Sequence, residues 1–180
     1  MKKIFLFTAI LFASITMGNA QNASDVAILK VRLHAIQSIV VNPSQKFNDL
    51  DYTTTDDYSK GVSLLRENHL TIFSTGAFVV QVASSDDQIK RVNGIETIES
   101  SGLIVQATDG ANDALVGATM AEVSLSKTPK DFITSTVGGV NKKFNVAYSG
   151  LGEDAYINNY FNDESPTVYR TTVTYTITPQ

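Results

Sequence analysis

Hydrophobic and polar positions alternate along most of this chain. From Tyr169 to Ile177 one face carries Tyr169, Thr171, Val173, Tyr175 and Ile177, and the other carries Arg170, Thr172, Thr174 and Thr176. A period of two predicts a β-strand with one face for a core and one for water. The run Asp25 to His34 (DVAILKVRLH) has the same period, with Ala27, Leu29, Val31 and Leu33 on one side and Ile28, Lys30, Arg32 and His34 on the other. It continues into AIQSIVVNP, where Asn42-Pro43 is expected to end the strand. The polar stretch from Phe47 to Gly61 (FNDLDYTTTDDYSKG) reads as a loop with one short edge strand.

Further along, LTIFS (70–74) and AFVVQVA (77–83) flank Thr75-Gly76. This predicts a hairpin in which Gly76 supplies a positive φ. GLIVQAT (102–108) and AEVSLS (121–126) read as strands, and the intervening ANDALVGATM as room for one helical turn. ITSTV and KFNVAYS flank Gly138-Gly139 and predict a second hairpin. The loop DAYINNYFNDESP then leads to the last strand. Roughly eight to nine strands with turn signals between them, and no convincing amphipathic helix, predict an all-β, immunoglobulin-like antiparallel β-sandwich. There is no internal repeat, low-complexity tract or linker.

The first residues change the picture of where the chain works. Lys2 and Lys3 precede a short apolar run, Ile4 to Ile15, and Gly18 and Ala20 are small residues at a cleavage position. This is the pattern of a secretory signal peptide, residues 1–20, cut after Ala20. The run is too short for a membrane anchor. A single domain, 21–180, is then exported through the inner membrane to the periplasm, the cell surface or the medium. Of 14 basic residues, loss of Lys2 and Lys3 leaves 12 against 18 acidic ones, a net charge of −6. A mildly acidic chain without a basic cluster argues against nucleic acid as a partner. The mature part has no apolar stretch long enough to span a bilayer. With no cysteine, burial and strand pairing must hold the fold, and thiolate chemistry and Cys-ligated metals are excluded.

Candidate chemistry is sparse. His34 and His69, the latter in an apparent turn (RENHL), lack the spacing of zinc ligands and read as surface residues. There is no G-x-S-x-G elbow. The pairs Asp49/Asp51, Asp56/Asp57 and Asp86/Asp87 do not form a calcium loop motif and read as solvated charge. Asn22-Ala23-Ser24 matches a glycosylation acceptor by chance in a bacterial-looking export sequence. The expectation is a non-enzymatic protein with no cofactor and no metal site. Tyr156, Tyr160 and Phe161, in one Gly/Asn-rich loop, are the candidates for a ligand-stacking surface, or else close one end of the core.

The signal ending in NAQ, the run DVAILKVRLHAIQSIVV, the segment LTIFSTGAFVVQV and the final VYRTTVTYTIT together resemble the secreted β-sandwich superfamily that includes the spore coat protein U domain and the archaic chaperone–usher pilins. The resemblance is one of pattern and spans most of the mature chain. Those families commonly carry a disulfide near the first strand. This chain has none, which makes it a cousin with the same general layout.

The resemblance implies a structural or adhesive surface protein, and in particular a fimbria-like subunit assembled by strand complementation. Its partners would be other copies of itself, other surface subunits and a periplasmic chaperone. The pairing residues would be Ala27, Leu29, Val31 and Leu33 of the first run and Tyr169, Val173, Tyr175 and Ile177 of the last. Two arrangements are open. Either Asp25 to His34 is donated to a neighbour and the core begins near Ile36, or Asp25 to Val41 is the bent first strand of a complete sandwich. The alternative function is an extracellular carbohydrate- or ligand-binding module.

Overall fold

The computed structural model describes residues 23–110 and 114–180. The signal peptide and its cleavage site lie outside the described residues. The chain divides into two units, residues 1–32 and 33–180. Of the first unit, residues 23–32 form neither strand nor helix, and each of them is exposed.

The second unit holds eleven strands among its described residues. In chain order they are β1 (Gln37–Val41), β2 (Val62–Ser74), β3 (Phe78–Ser84), β4 (Gln88–Lys90), β5 (Thr97–Glu99), β6 (Leu103–Asp109), β7 (Ala118–Met120), β8 (Glu122–Ser124), β9 (Lys130–Ser135), β10 (Gly139–Gly150) and β11 (Val173–Pro179). They form a five-stranded sheet in the order β1-β2-β10-β6-β8, a four-stranded sheet β11-β3-β9-β7, and the small pair β4-β5. All pairings are antiparallel. Leu70, Ile72, Val105, Phe144 and Val146 from the larger sheet pack with Phe78, Val80, Val82, Phe132 and Ile133 from the smaller one in a single core. The protein is therefore an all-β antiparallel sandwich. Most strands of the two sheets bury alternate residues because a period of two points them at the facing sheet; His69–Leu70 in β2 and Phe132–Ile133 in β9 break that alternation.

Several local expectations are corrected. The run Asp25 to His34 is not a strand: the first ladder begins at Gln37, and Val41 ends it just before Pro43, as Asn42-Pro43 implied. The last strand begins at Val173, not Tyr169; Tyr169 makes an isolated bridge to Arg91 instead. The Phe47–Gly61 stretch contains a one-turn helix, α1 (Thr55–Lys60), held by a reciprocal capping box between Thr54 and Asp57. The segment after β6 where a helical turn was expected lies partly outside the described residues; of its described part, Ala118–Met120 form β7.

The two expected hairpins are not hairpins. Thr75–Ala77 carries the chain from β2 in one sheet to β3 in the other, and Thr136–Gly138 likewise carries it from β9 to β10. Each is an arch over the end of the core. Because β2 pairs with β10 and β3 with β9, the two arches lie side by side. Gly138 packs backbone to backbone there: a Cβ on it would press on the Ser74 carbonyl and lie 2.9 Å from the Gly76 nitrogen. Gly76 itself does not have a positive φ.

Candidate functional site: the open seam between the first and last strands

The far edges of the two sheets are β7 and β8, three residues each and joined directly through Ala121. Short edge strands are a common protection against unwanted pairing. The opposite edges differ. Here β1 ends one sheet and β11 ends the other, and among the described residues each has a single hydrogen-bonded neighbour. Residues of the two strands come within 8 Å of each other, Cα to Cα, with no ladder between them.

The direction of the unpaired backbone groups follows from the ladder ends. Ser85 N–H donates to Thr172 C=O and Gln180 N–H to Ala77 C=O, so the even residues of β11 turn their backbone groups toward β3. Its odd residues, Val173, Tyr175 and Ile177, therefore turn theirs to the free edge. On the other wall Thr75 N–H donates to Ile36 C=O and Asn42 N–H to His69 C=O. Gln37, Ile39 and Val41 thus turn their backbone groups away from β2 and to that strand's free edge. The side chains of Ile39, Val41, Val173, Tyr175 and Ile177 line the same seam, packed on the core yet only partly buried. The seam combines unpaired backbone donors and acceptors with an incompletely covered apolar floor.

A polar relay runs beneath it. Gln45 Nε2 donates to the Glu67 carbonyl, 3.1 Å, which leaves Gln45 Oε1 to accept from His69 Nδ1, 3.0 Å. His69 Nε2 then accepts from the Tyr148 hydroxyl, 2.7 Å, whose oxygen is 2.8 Å from the hydroxyl of Tyr175 on β11. His69 is 1% exposed. Burial, with the nearby Arg66 charge, pushes its pKa down to about 4. Burial likewise raises those of Tyr148 and Tyr175.

His69 is thus neither in a turn nor on the surface. A bulge in β2 puts it in the core: Phe144 pairs with Leu70 but Val146 with Arg66, so β2 carries extra residues, with Asn68 at φ 50°. The turn-like letters of RENHL were the only trace of this in the sequence.

Leu29 and Leu33 are 89% and 90% exposed, and Val31 and Ala27 are exposed as well. The His34 carbonyl and both backbone groups of Ile36 bond to Thr75, which ties the chain to the arch just before β1. Tyr169 lies outside the seam, its hydroxyl donating to the Asn159 carbonyl at 3.0 Å.

The three loop aromatics differ in their contacts. Tyr156 packs edge-on against Tyr52 at 5.1 Å and donates to the Gly102 carbonyl. Phe161 lies under the Arg91 guanidinium, 4.3 Å from the ring centre. Tyr160 is 53% exposed. Arg91 also meets Glu96, Asp163 and Glu164, so it clamps this loop to the β4–β5 pair. Among the described residues no group of three or more His, Asp or Glu side chains is placed to hold a metal.

Comparison of the sequence with family models and with curated proteins finds no match to either.

Proposed function

We propose that this is an exported, non-enzymatic surface protein that assembles with copies of itself by strand complementation. In this reading Asp25 to His34 of one subunit enters the seam between β1 and β11 of the next. The observation that carries it is the seam: two facing strand edges with unpaired backbone groups over a partly covered apolar floor. An added strand gains main-chain hydrogen bonds from such an edge, and alternate side chains fill the floor. The alternating, exposed run Ala27, Leu29, Val31 and Leu33 supplies those side chains. Ten extended residues reach about 33 Å, more than the about 23 Å of a seven-residue strand such as β11.

The test is electrophoresis of the mature protein in detergent, unheated beside heated. A ladder that collapses to one band on heating is expected, because no cysteine is present to crosslink the subunits. A single monomer band in both lanes, at concentrations high enough for assembly, overturns the proposal.

A further inference from the structure

We propose that the free edge of β11 also pairs with the same edge of a second copy, forming a two-fold dimer whose smaller sheets run on into one another. This goes beyond the assembly reading and does not depend on it.

From Thr174 to Thr178 the strand reads Thr-Tyr-Thr-Ile-Thr, uncharged, with its threonines placed symmetrically about Thr176 and large side chains at 175 and 177. Two such strands laid antiparallel about Thr176 place Thr176 opposite its own copy, Thr174 opposite Thr178, and Tyr175 opposite Ile177. Threonine pairs and aromatic–β-branched pairs are both favourable cross-strand neighbours. No like charges meet across the axis.

The backbone fits the same register. Tyr175 and Ile177 are the residues whose N–H and C=O face the free edge, as the ladder ends require. They would form hydrogen-bonded pairs across the axis, two bonds for each pair and four in all. Thr176 then falls at a non-hydrogen-bonded site, where opposite side chains come closest. Pro179 has no N–H and faces the free edge, so the ladder ends there. A two-fold contact of this kind is closed and stops at a dimer. It uses the edge that a donated strand would use, so it is the state of a subunit whose seam is empty.

A single cysteine tests this, since the chain has no other. The mature Thr176→Cys protein should crosslink to a dimer on mild oxidation, because non-hydrogen-bonded pairs bring the Cα atoms into disulfide range. Thr119→Cys, on the far edge of the same sheet, should remain monomeric. Thr174→Cys should crosslink poorly alone and well when mixed with Thr178→Cys, which fixes the register. Thr176→Lys sets two like charges opposite each other, and the dimer should be lost in sedimentation with the circular dichroism unchanged.

Failure of Thr176→Cys to crosslink more than Thr119→Cys, or a dimer that survives Thr176→Lys, overturns the proposal. To separate this from donor exchange, the crosslinking is repeated in a Leu29→Lys/Val31→Lys background. A crosslink that persists there without any heat-labile ladder in the parent protein supports the dimer and sinks only the donor reading. A ladder without the crosslink sinks only the dimer.

Discussion

At the scale of single residues, the buried His69 ties the fold's stability to pH. Its neutral ring is committed at both nitrogens, to Gln45 and to Tyr148. Its pKa is near 4 in the folded protein and about 6.5 when unfolded. Above pH 6.5 neither state binds the proton, and stability is full. Below it the unfolded chain takes up the proton first, so stability falls until the folded ring also titrates near pH 4. The loss is about 2–3 kcal/mol from this ring alone. Urea midpoints at pH 7.5 and 4.5 should record it, and His69→Gln should remove most of that difference. An equal fall in the variant would assign the effect to other groups.

This residue was hidden in the sequence for a physical reason. Alternation identifies a buried position only while the strand keeps its period of two. The bulge at Glu67–His69 breaks that period, so His69 and Leu70 are both buried in succession. Val173, Tyr175 and Ile177 were legible because β11 has no bulge along its length.

At the scale of elements, alternation located most of the strand residues but not their partners. A hairpin and an arch both need two alternating runs around a short polar turn. They differ in whether the inward faces lie side by side or oppose each other, and local sequence does not encode that. The pair Gly76 and Gly138 tests the arch geometry. Gly138→Ala forces a methyl group into the neighbouring arch's backbone and should cost about 1–3 kcal/mol. Gly76 has open space where a Cβ would go and no positive φ. Gly76→Ala should therefore be neutral or stabilise by up to about 1 kcal/mol, by restricting the unfolded chain. Thermal melts of the two variants decide it; equal destabilisation would mean that the Thr75–Ala77 arch is packed as tightly at Gly76 as its neighbour is at Gly138.

The Arg91 clamp is a second element-scale device that no local pattern announces, since its partners lie up to 73 residues away in sequence. Arg91→Met leaves Glu164, 11% exposed, without its cation. A loss of stability is expected, and the 153–168 loop should become the first site of proteolytic cleavage. Unchanged cleavage kinetics would mean that the loop is held by Tyr156 and its neighbours.

At the scale of the whole molecule, the sandwich is closed along one side by the short linked strands β7 and β8 and open along the other. An uncharged seven-residue edge left unpaired invites association. The assembly reading and the dimer both follow from that single asymmetry, but they make different demands on residues 25–34. If those residues are donated, their apolar face must enter a neighbour's seam, while their own subunit's stability owes them little, since they are exposed. Leu29→Lys/Val31→Lys should then abolish the heat-labile ladder and leave the melting temperature of the heat-dissociated monomer unchanged within about a degree. Adding a peptide of residues 24–34 to that variant should raise its melting temperature, because a ligand that binds only the folded state stabilises it by mass action. The same peptide carrying both lysines should not. A variant whose monomer melts much lower would instead make Asp25 to His34 part of its own sandwich, and the seam would then be filled from within.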